Sequence, residues 1–83
     1  MRAAIFRMLA NPARLQIVKL LATGERCACE FAPLTGKAQP TVSLHLKALE
    51  NTGIVVSRKD GKRVLYKLKN DNVLRLITLA EKL

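Results

Sequence analysis

Residues 39–53 read QPTVSLHLKALENTG, and the pattern within this stretch decides the fold. Its apolar side chains recur at positions i, i+4 and i+7, as Val42, Leu46 and Leu49. That spacing places all three on one face of a helix, and such a face has to be buried against a core. Pro40 suits the first turn, where amide groups lack partners inside the helix, and Gly53 can adopt the left-handed conformation of a C-terminal cap. The stretch therefore predicts an amphipathic helix.

The opposite face of this helix is polar and includes one apolar residue. It presents Thr41, Ser43, Leu44 and Lys47, with Gln39 and His45 at its margins. Short hydrogen-bonding side chains, an apolar group and a cation are a suitable set for reading base edges in a major groove. An ordinary amphipathic helix can carry a similar face. Whether this helix contacts DNA therefore has to be judged from the residues that surround it in the sequence.

The composition predicts one small, basic domain that occupies residues 1–83. Hydrophobic residues make up 49% of the chain and only three residues are aromatic, which favours aliphatic packing between helices. So high an apolar content in a short chain also leaves apolar surface for a dimer interface. The net charge of +9, from 15 basic and 6 acidic residues, points to a polyanion, either nucleic acid or an anionic membrane surface.

The simplest interpretation of the remaining composition is a cytoplasmic protein with reduced thiols. Neither a secretory signal nor a run of the roughly 18 apolar residues needed to cross a membrane is visible, so no membrane partner is expected. Cys27 and Cys29 are separated by one residue and cannot join distant parts of the chain. Reduced cysteines are the usual state in the cytosol.

Three further helices are predicted before the central one. They cover residues 2–10, 14–22 and, less regularly, 29–34. Asn11 and Pro12 form a strong helix start, because Asn caps the helix and Pro occupies its first position. Gly24 ends the second helix, and Pro33 has to lie near the end of the third or bend it. Residues 35–38 form the turn into the central helix.

The period changes from helical to strand-like after Gly53. Residues 54–59 and 62–68 are two β-rich runs separated by Asp60 and Gly61, a pair that predicts a hairpin with a type I′ turn. One face of the second strand is expected to pack inward: Val64, Tyr66 and Leu68.

A final helix follows, capped by Asn70, Asp71 or Asn72. Its apolar face comprises Val73, Leu76, Ile77 and Ala80. Leu74 and Leu79 widen this stripe beyond what one small core could cover, which again indicates a dimer.

A helix, a short turn, an amphipathic helix and a basic hairpin occur here in the order typical of a winged helix-turn-helix. In that fold, which is mainly α with a small β-hairpin, the second helix of the pair lies in the major groove. Residues 58–69 carry six basic residues and one acidic residue. Arg58, Lys62 and Arg63 are the candidate phosphate contacts, which would supply the salt-sensitive share of affinity. The alternative is a solvated strand edge kept basic to discourage edge pairing.

Several short motifs in this chain, taken together, are similar to those of the ArsR/SmtB family of metal-responsive repressors. They are LANPARL at 9–15, QPTVS at 39–43, HLK at 45–47, GIV at 53–55, and YKL at 66–68. The resemblance covers about residues 8–68 and implies a sequence-specific, DNA-binding repressor that dimerises through its first and last helices. Leu44 departs from the polar or charged residue usual there, and Ala38 replaces a common Ser, which removes a helix cap.

Residues 25–31, ERCACEF, resemble the metal-binding segment of the same family. The resemblance makes Cys27 and Cys29 candidate ligands for trivalent arsenic or antimony, and soft thiolates do select soft ions. A third ligand is missing, because Ala32 stands where many family members have another Cys. Two different interpretations stay open: inert packing of two small residues, and a thiol redox switch in which Arg26 lowers a thiol pKa. No cofactor is expected to be required.

Functions of other classes find little support in the sequence. His45 and Ser43 are too close in sequence to share a helix face, and a phosphate-binding glycine loop is missing, so an enzyme is not expected. Membrane-surface binding would need positive charge along one helix rather than on a hairpin. The sequence also leaves open a protein-interaction module and a metal-independent DNA-binding regulator.

Overall fold

A computed structural model describes residues 3–83, which form five helices and three short strands in a mainly α arrangement. The helices are α1 (Ala3–Leu9), α2 (Pro12–Leu20), α3 (Ala28–Thr35), α4 (Gln39–Asn51) and α5 (Asn72–Glu81). The strands are β1 (Arg26–Cys27), β2 (Val55–Asp60) and β3 (Arg63–Leu68). A single 3-10 turn, Leu21–Thr23, extends α2. Arg2, with which the first helix was expected to begin, lies outside the described residues.

The predicted hairpin is present, and a third strand joins it. The sheet is antiparallel in the order β1-β3-β2. In β1, Arg26 pairs with Tyr66 and Cys27 with Leu65. Two residues are too few to show an alternating pattern, so β1 leaves no signal in the sequence. Its partners lie far along the chain, and tertiary packing alone brings them together.

The hairpin turn lies one residue later than expected. Asp60 pairs with Arg63, so Gly61 and Lys62 form the two-residue loop. Gly61 has φ of 63°, whereas Asp60 and Lys62 do not have positive φ. The expectation of a type I′ turn centred on Asp60 and Gly61 was therefore wrong. Positive φ at the first central position alone is the pattern of a type II′ turn, which also suits the twist of a hairpin.

The hydrophobic core is built around the inner face of α4. Val42, Leu46 and Leu49 are each at most 1% exposed. They belong to a cluster of buried residues from most elements of the fold, the others being Ile17, Val18, Leu21, Phe31, Ile54, Val55, Tyr66 and Ile77. Aliphatic side chains dominate this cluster, as the composition predicted. Of the expected inward face of β3, Tyr66 is buried while Val64 and Leu68 are half-buried.

The residues at the helix ends are those that the sequence predicted. Asn11 caps α2, its Oδ1 accepting a hydrogen bond from the Arg14 amide at 3.1 Å. Pro33 lies inside α3, which nevertheless continues to Thr35. Ala38 provides no side-chain cap for α4, as its apolar side chain requires. At α5 the N-cap residue is Asp71, but the nearby side-chain hydrogen bond comes from Asn70, whose Oδ1 accepts from the Asn72 amide at 2.9 Å.

Apolar side chains on α1, α2 and α5 remain only partly covered. Between these helices lies an open cleft of about 310 Å³, and its lining is almost entirely apolar: Phe6, Leu9, Ala10, Leu15, Leu76, Ile77, Ala80 and Glu81. Leu79, on the same terminal helix, is 63% exposed. The wide stripe expected on this helix is therefore present: the core of one chain buries Ile77 and partly covers Val73 and Leu74, while Leu79 stays in water.

Two leucines on α4 offer a matched test of this packing. Leu46→Ala is expected to lower the free energy of unfolding by about 2–5 kcal/mol, because it removes a side chain from the filled core. Leu44→Ala, two residues away at a position that is 72% exposed, is expected to change it by less than about 0.5 kcal/mol. Urea unfolding followed by circular dichroism measures both. Equal losses in the two variants would contradict the assignment of the inner face.

Candidate nucleic-acid interface

The outer face of α4 is open to solvent along its whole length. Thr41, Ser43, Leu44 and Lys47 are exposed, as is Gln39 in the first turn, while His45 is half-buried at the margin. The structure therefore brings the six predicted residues of this helix onto one surface. Leu44 is the most unusual of them, because 72% of this large apolar residue is in contact with water.

Gln39 links the start of α4 to α3. Its Nε2 lies 3.5 Å from the Ala28 carbonyl oxygen and 3.4 Å from Ser43 Oγ. Both distances are long for hydrogen bonds, so the amide is held loosely and can exchange these partners for others. Ser43 keeps its hydroxyl available for the same reason.

His45 is a neutral side chain in this environment. Partial burial lowers the pKa of its imidazole, and the nearby cations Arg14 and Lys37 lower it further. At neutral pH the ring therefore offers one N–H donor and one acceptor nitrogen rather than a positive charge. Its contribution to a DNA surface would be hydrogen bonding or packing.

The hairpin lies beside α4 and forms a cleft with it. The cleft measures about 440 Å³ and is lined by Ser43, Leu46, Lys47 and Glu50 of α4, by Ser57, Arg58, Lys59, Val64 and Tyr66 of the hairpin, and by Ala28. Ser57 Oγ donates a hydrogen bond of 2.5 Å to the Glu50 carboxylate, which fixes β2 against α4. The outer face of α4 and the first strand of the hairpin consequently belong to one continuous surface.

The hairpin cations differ in their partners. Lys62, at the turn, is exposed. Arg63 pairs with Asp60 of the same hairpin, with Nη2 3.2 Å from Oδ2. Arg58 makes two hydrogen bonds to Glu25, from Nε at 2.9 Å and from Nη2 at 2.8 Å. Sequence reasoning missed Glu25, because nothing in its neighbourhood signals a partner 33 residues away.

The two cysteines lie next to this surface. Cys27 ends β1, is buried, and is also the N-cap of α3, whereas Cys29 is exposed in the first turn of that helix and Ala28, between them, is half-buried. A second depression, of about 330 Å³, contains both cysteines together with Gln39, Lys62 and Arg63. The cysteine segment is therefore near both the start of α4 and the turn of the hairpin.

The two sulfur atoms are joined in a disulfide, which differs from the reduced thiols that the sequence predicted. The amide of Cys29 donates to Cys27 Sγ at 3.2 Å, and the amide of Cys27 donates to the Glu30 carboxylate at 2.6 Å. Both sulfurs thus converge on one side of the α3 N-terminus. Within residues 3–83, no third His, Cys, Asp or Glu side chain lies close enough to the two cysteines to complete a group of three metal ligands. On reduction the two sulfurs could serve as two thiolate ligands of a soft ion, and a third ligand would have to come from outside this cluster.

Comparison with known proteins identifies the family. Residues 11–57 match the family model described as bacterial regulatory protein, arsR family. The chain belongs to the ArsR family. The matched segment begins at the cap of α2 and ends in β2, so it contains the helix pair and the cysteine segment. Members of this family are DNA-binding transcriptional regulators rather than enzymes, which confirms the expectation that the chain is not an enzyme.

Relatives include regulators from several organisms. A helix-turn-helix transcriptional regulator of Methanocaldococcus jannaschii is 42% identical over 98% of this chain and 92% of its own length. A probable mercury resistance operon repressor of Streptomyces lividans is 40% identical over 94% of this chain, and an arsenical resistance operon repressor of Staphylococcus xylosus is 38% identical over 83%. The chain spans only 62% and 66% of these two repressors.

Solved structures share the fold. The homodimeric winged helix-turn-helix DNA-binding domain of a possible ArsR-family regulator from Mycobacterium bovis is 40% identical, with a TM-score of 0.85 over 95% of this chain and 73% of that one. HlyU from Vibrio cholerae is 30% identical, with a TM-score of 0.87 over 96% of this chain and 87% of that one. The predicted winged helix-turn-helix fold is therefore confirmed. None of the helices within residues 3–83 combines the length and the apolar character needed to cross a bilayer.

Proposed function

We propose that this chain represses transcription by binding double-stranded DNA as a cytoplasmic homodimer. The observation that carries the proposal is the exposed outer face of α4 lying beside the cationic hairpin. In this arrangement α4 enters the major groove, where Thr41 and Ser43 can hydrogen-bond base edges and Leu44 can contact a thymine methyl group. Lys62, Arg63 and the other hairpin cations neutralise the flanking phosphates.

The proposed dimer interface is the apolar cleft formed by α1, α2 and α5. A second copy would cover Phe6 and Leu76 as well as the exposed Leu79, which the core of one chain leaves in water. The M. bovis neighbour is described as homodimeric, which supports the same assembly here. A two-fold dimer presents two copies of α4, and such dimers bind half-sites about one helical turn apart.

We further propose that trivalent arsenic or antimony, held by Cys27 and Cys29 after reduction, releases the DNA. Relatives are named for arsenical, mercury and cadmium resistance, so soft ions are a common theme among them. Solvent, a small thiol or a group of the partner subunit is the proposed third ligand.

Cys27 explains how such an ion would influence DNA binding. Its sulfur lies at the α3 N-terminus and its backbone pairs with Leu65 in the hairpin. A change in the orientation of this side chain would therefore disturb both the helix that packs on α4 and the sheet that carries the cations. Ion and DNA would then oppose each other through one reciprocal coupling free energy, typically about 1–3 kcal/mol.

A thiol redox switch is the second candidate effector mechanism. The disulfide between Cys27 and Cys29 favours it, because the same pair can cycle between a dithiol and a disulfide without moving distant parts of the chain. Cys29, the more accessible of the two cysteines, lies in one depression with Lys62 and Arg63 of the hairpin. In this case oxidation of the two thiols, rather than binding of an ion, changes the DNA affinity. The regulator would then be independent of metals.

Substitutions on the two parts of the surface should have different effects on DNA binding. Lys62→Gln is expected to weaken binding to every duplex alike and to lower the salt slope by about one, because one phosphate contact is lost. Ser43→Ala is expected to alter the preference among sequences while leaving the salt slope in place. Fluorescence anisotropy with duplexes recovered by in vitro selection, repeated over a range of KCl concentrations, measures both. Identical behaviour of the two variants would contradict the assigned roles.

The dimer can be tested with two exposed positions on α5. Ala80→Glu places a charge in the apolar cleft and is expected to give a monomer, because a buried unpaired carboxylate is strongly unfavourable. Thr78→Glu makes a similar change on nearly the opposite side of the helix and should leave the dimer intact. Sedimentation equilibrium measures the mass of each. A monomeric wild-type protein, or a dimeric Ala80→Glu variant, would exclude this interface.

Titration of reduced protein–operator complex with arsenite tests the effector. Arsenite is expected to weaken DNA binding by roughly 5–150-fold, the range of typical allosteric coupling. The Cys27→Ala, Cys29→Ala double variant should keep its DNA affinity in the presence of arsenite, with circular dichroism as the check on folding. A parallel arm with a thiol oxidant separates the second mechanism: release by oxidant and indifference to arsenite would replace the ion with the redox switch. Indifference to both would leave an effector-independent regulator.

A further inference from the structure

The ion pair between Glu25 and Arg58 is the salt bridge that ties the cationic hairpin to the cysteine segment within residues 3–83. Both carboxylate oxygens of Glu25 accept hydrogen bonds from the guanidinium, at 2.8 and 2.9 Å. The two residues are 33 positions apart in sequence. The other hairpin ion pair, between Arg63 and Asp60, stays within the hairpin.

The geometry of this pair is the one that Arg uses for phosphate groups. Two parallel N–H donors facing two oxygens of one anion form the fork arrangement common to carboxylate and phosphate recognition. Glu25 therefore occupies the donors that a DNA phosphate would need. Its hydrogen bonds from Arg58 are also the main reason that the pKa of the Glu25 carboxyl is below its usual range, so the carboxylate is charged at neutral pH.

The strand register explains why the two side chains meet. Cys27 of β1 pairs with Leu65 of β3, and Leu65 pairs in turn with Arg58 of β2. These three residues form one row across the sheet, and Glu25 lies two residues before Cys27 in the chain. Glu25 directly precedes β1, and its side chain reaches Arg58 across β3.

The pair is accessible to a competing anion. The Arg58 side chain is 57% exposed and that of Glu25 is 28% exposed, and Arg58 also lines the cleft between the hairpin and α4. An exposed pair of this kind contributes little to stability, so exchange of partners is energetically accessible. A DNA phosphate that enters the cleft would therefore have to compete with the Glu25 carboxylate for the Arg58 guanidinium.

We propose that Glu25 is an internal phosphate substitute that holds Arg58 in the free protein and competes with the DNA backbone for it. Glu25 thereby lowers the DNA affinity and the net release of counterions on binding. It acts through Arg58 as a positioning residue and does not itself contact DNA. This inference rests on the proposed DNA-binding function and adds to it a residue that restrains binding.

Removal of the Glu25 charge tests the inference. Glu25→Gln is expected to raise the affinity for a fluorescein-labelled duplex of random sequence several-fold and to steepen the salt slope by about one, because Arg58 becomes fully available to a phosphate. Fluorescence anisotropy over a KCl series measures both quantities. Circular dichroism and the urea midpoint check that the variant folds like the wild type. A lower affinity or an unchanged slope in the folded variant would overturn the proposal.

Two further variants separate a specific exchange from a general effect of charge. In an Arg58→Gln background, Glu25→Gln should no longer change the salt slope, whereas long-range repulsion by the carboxylate would persist there and would overturn the proposal. Asp60→Asn removes an acidic partner within the hairpin and should leave the effect of Glu25→Gln intact. If wild-type protein and all variants fail to bind the duplex, the proposed DNA-binding function itself is wrong. If the wild-type protein binds the duplex but Glu25→Gln changes neither the affinity nor the salt slope, only the proposed competition by Glu25 is rejected.

Discussion

Burial of the inner face of α4 is the constraint on which the rest of the structure depends. Val42, Leu46 and Leu49 belong to the hydrophobic core cluster in the described part of the chain. With that face fixed, the helical period leaves the intervening residues no position except the opposite, solvent side. The polar surface that could read DNA is thus a geometric consequence of the core, and its rigidity comes from the same side chains.

The hairpin is held against this helix by polar contacts as well as apolar ones. Ile54 and Val55 anchor the start of β2 in the core, while the Ser57–Glu50 hydrogen bond fixes the strand further out. Beyond that point the hairpin is exposed and strongly basic. Positive charge therefore accumulates where the chain projects into solvent, and desolvation costs least there. The core specifies the position of the charge but does not have to bury any of it.

Local patterns in the sequence were sufficient to predict the helices, the hairpin and the outer face of α4. Hydrophobic period, the Asn11 cap and the two strand-like runs each reflect interactions between residues close in sequence, and the structure confirms them. Long-range features could not be predicted in this way. The strand β1 exists only because β3 lies beside it, and Glu25 finds Arg58 only because three strands align. The turn at Gly61 was misplaced because strand pairing continues through Asp60, a residue type that is rare in strands.

The position of Cys27 has a consequence for how the proposed sensing function could change over evolutionary time. This residue ends a strand, caps a helix and fills a buried site, so few replacements satisfy all three requirements. Cys29 lies in the first helical turn, is exposed, and is far less constrained. Sequence drift that abolishes the dithiol should therefore begin at Cys29, leaving a folded regulator with a single buried thiol. Under the proposed sensing role, the framework could in this way lose its effector without first losing its architecture.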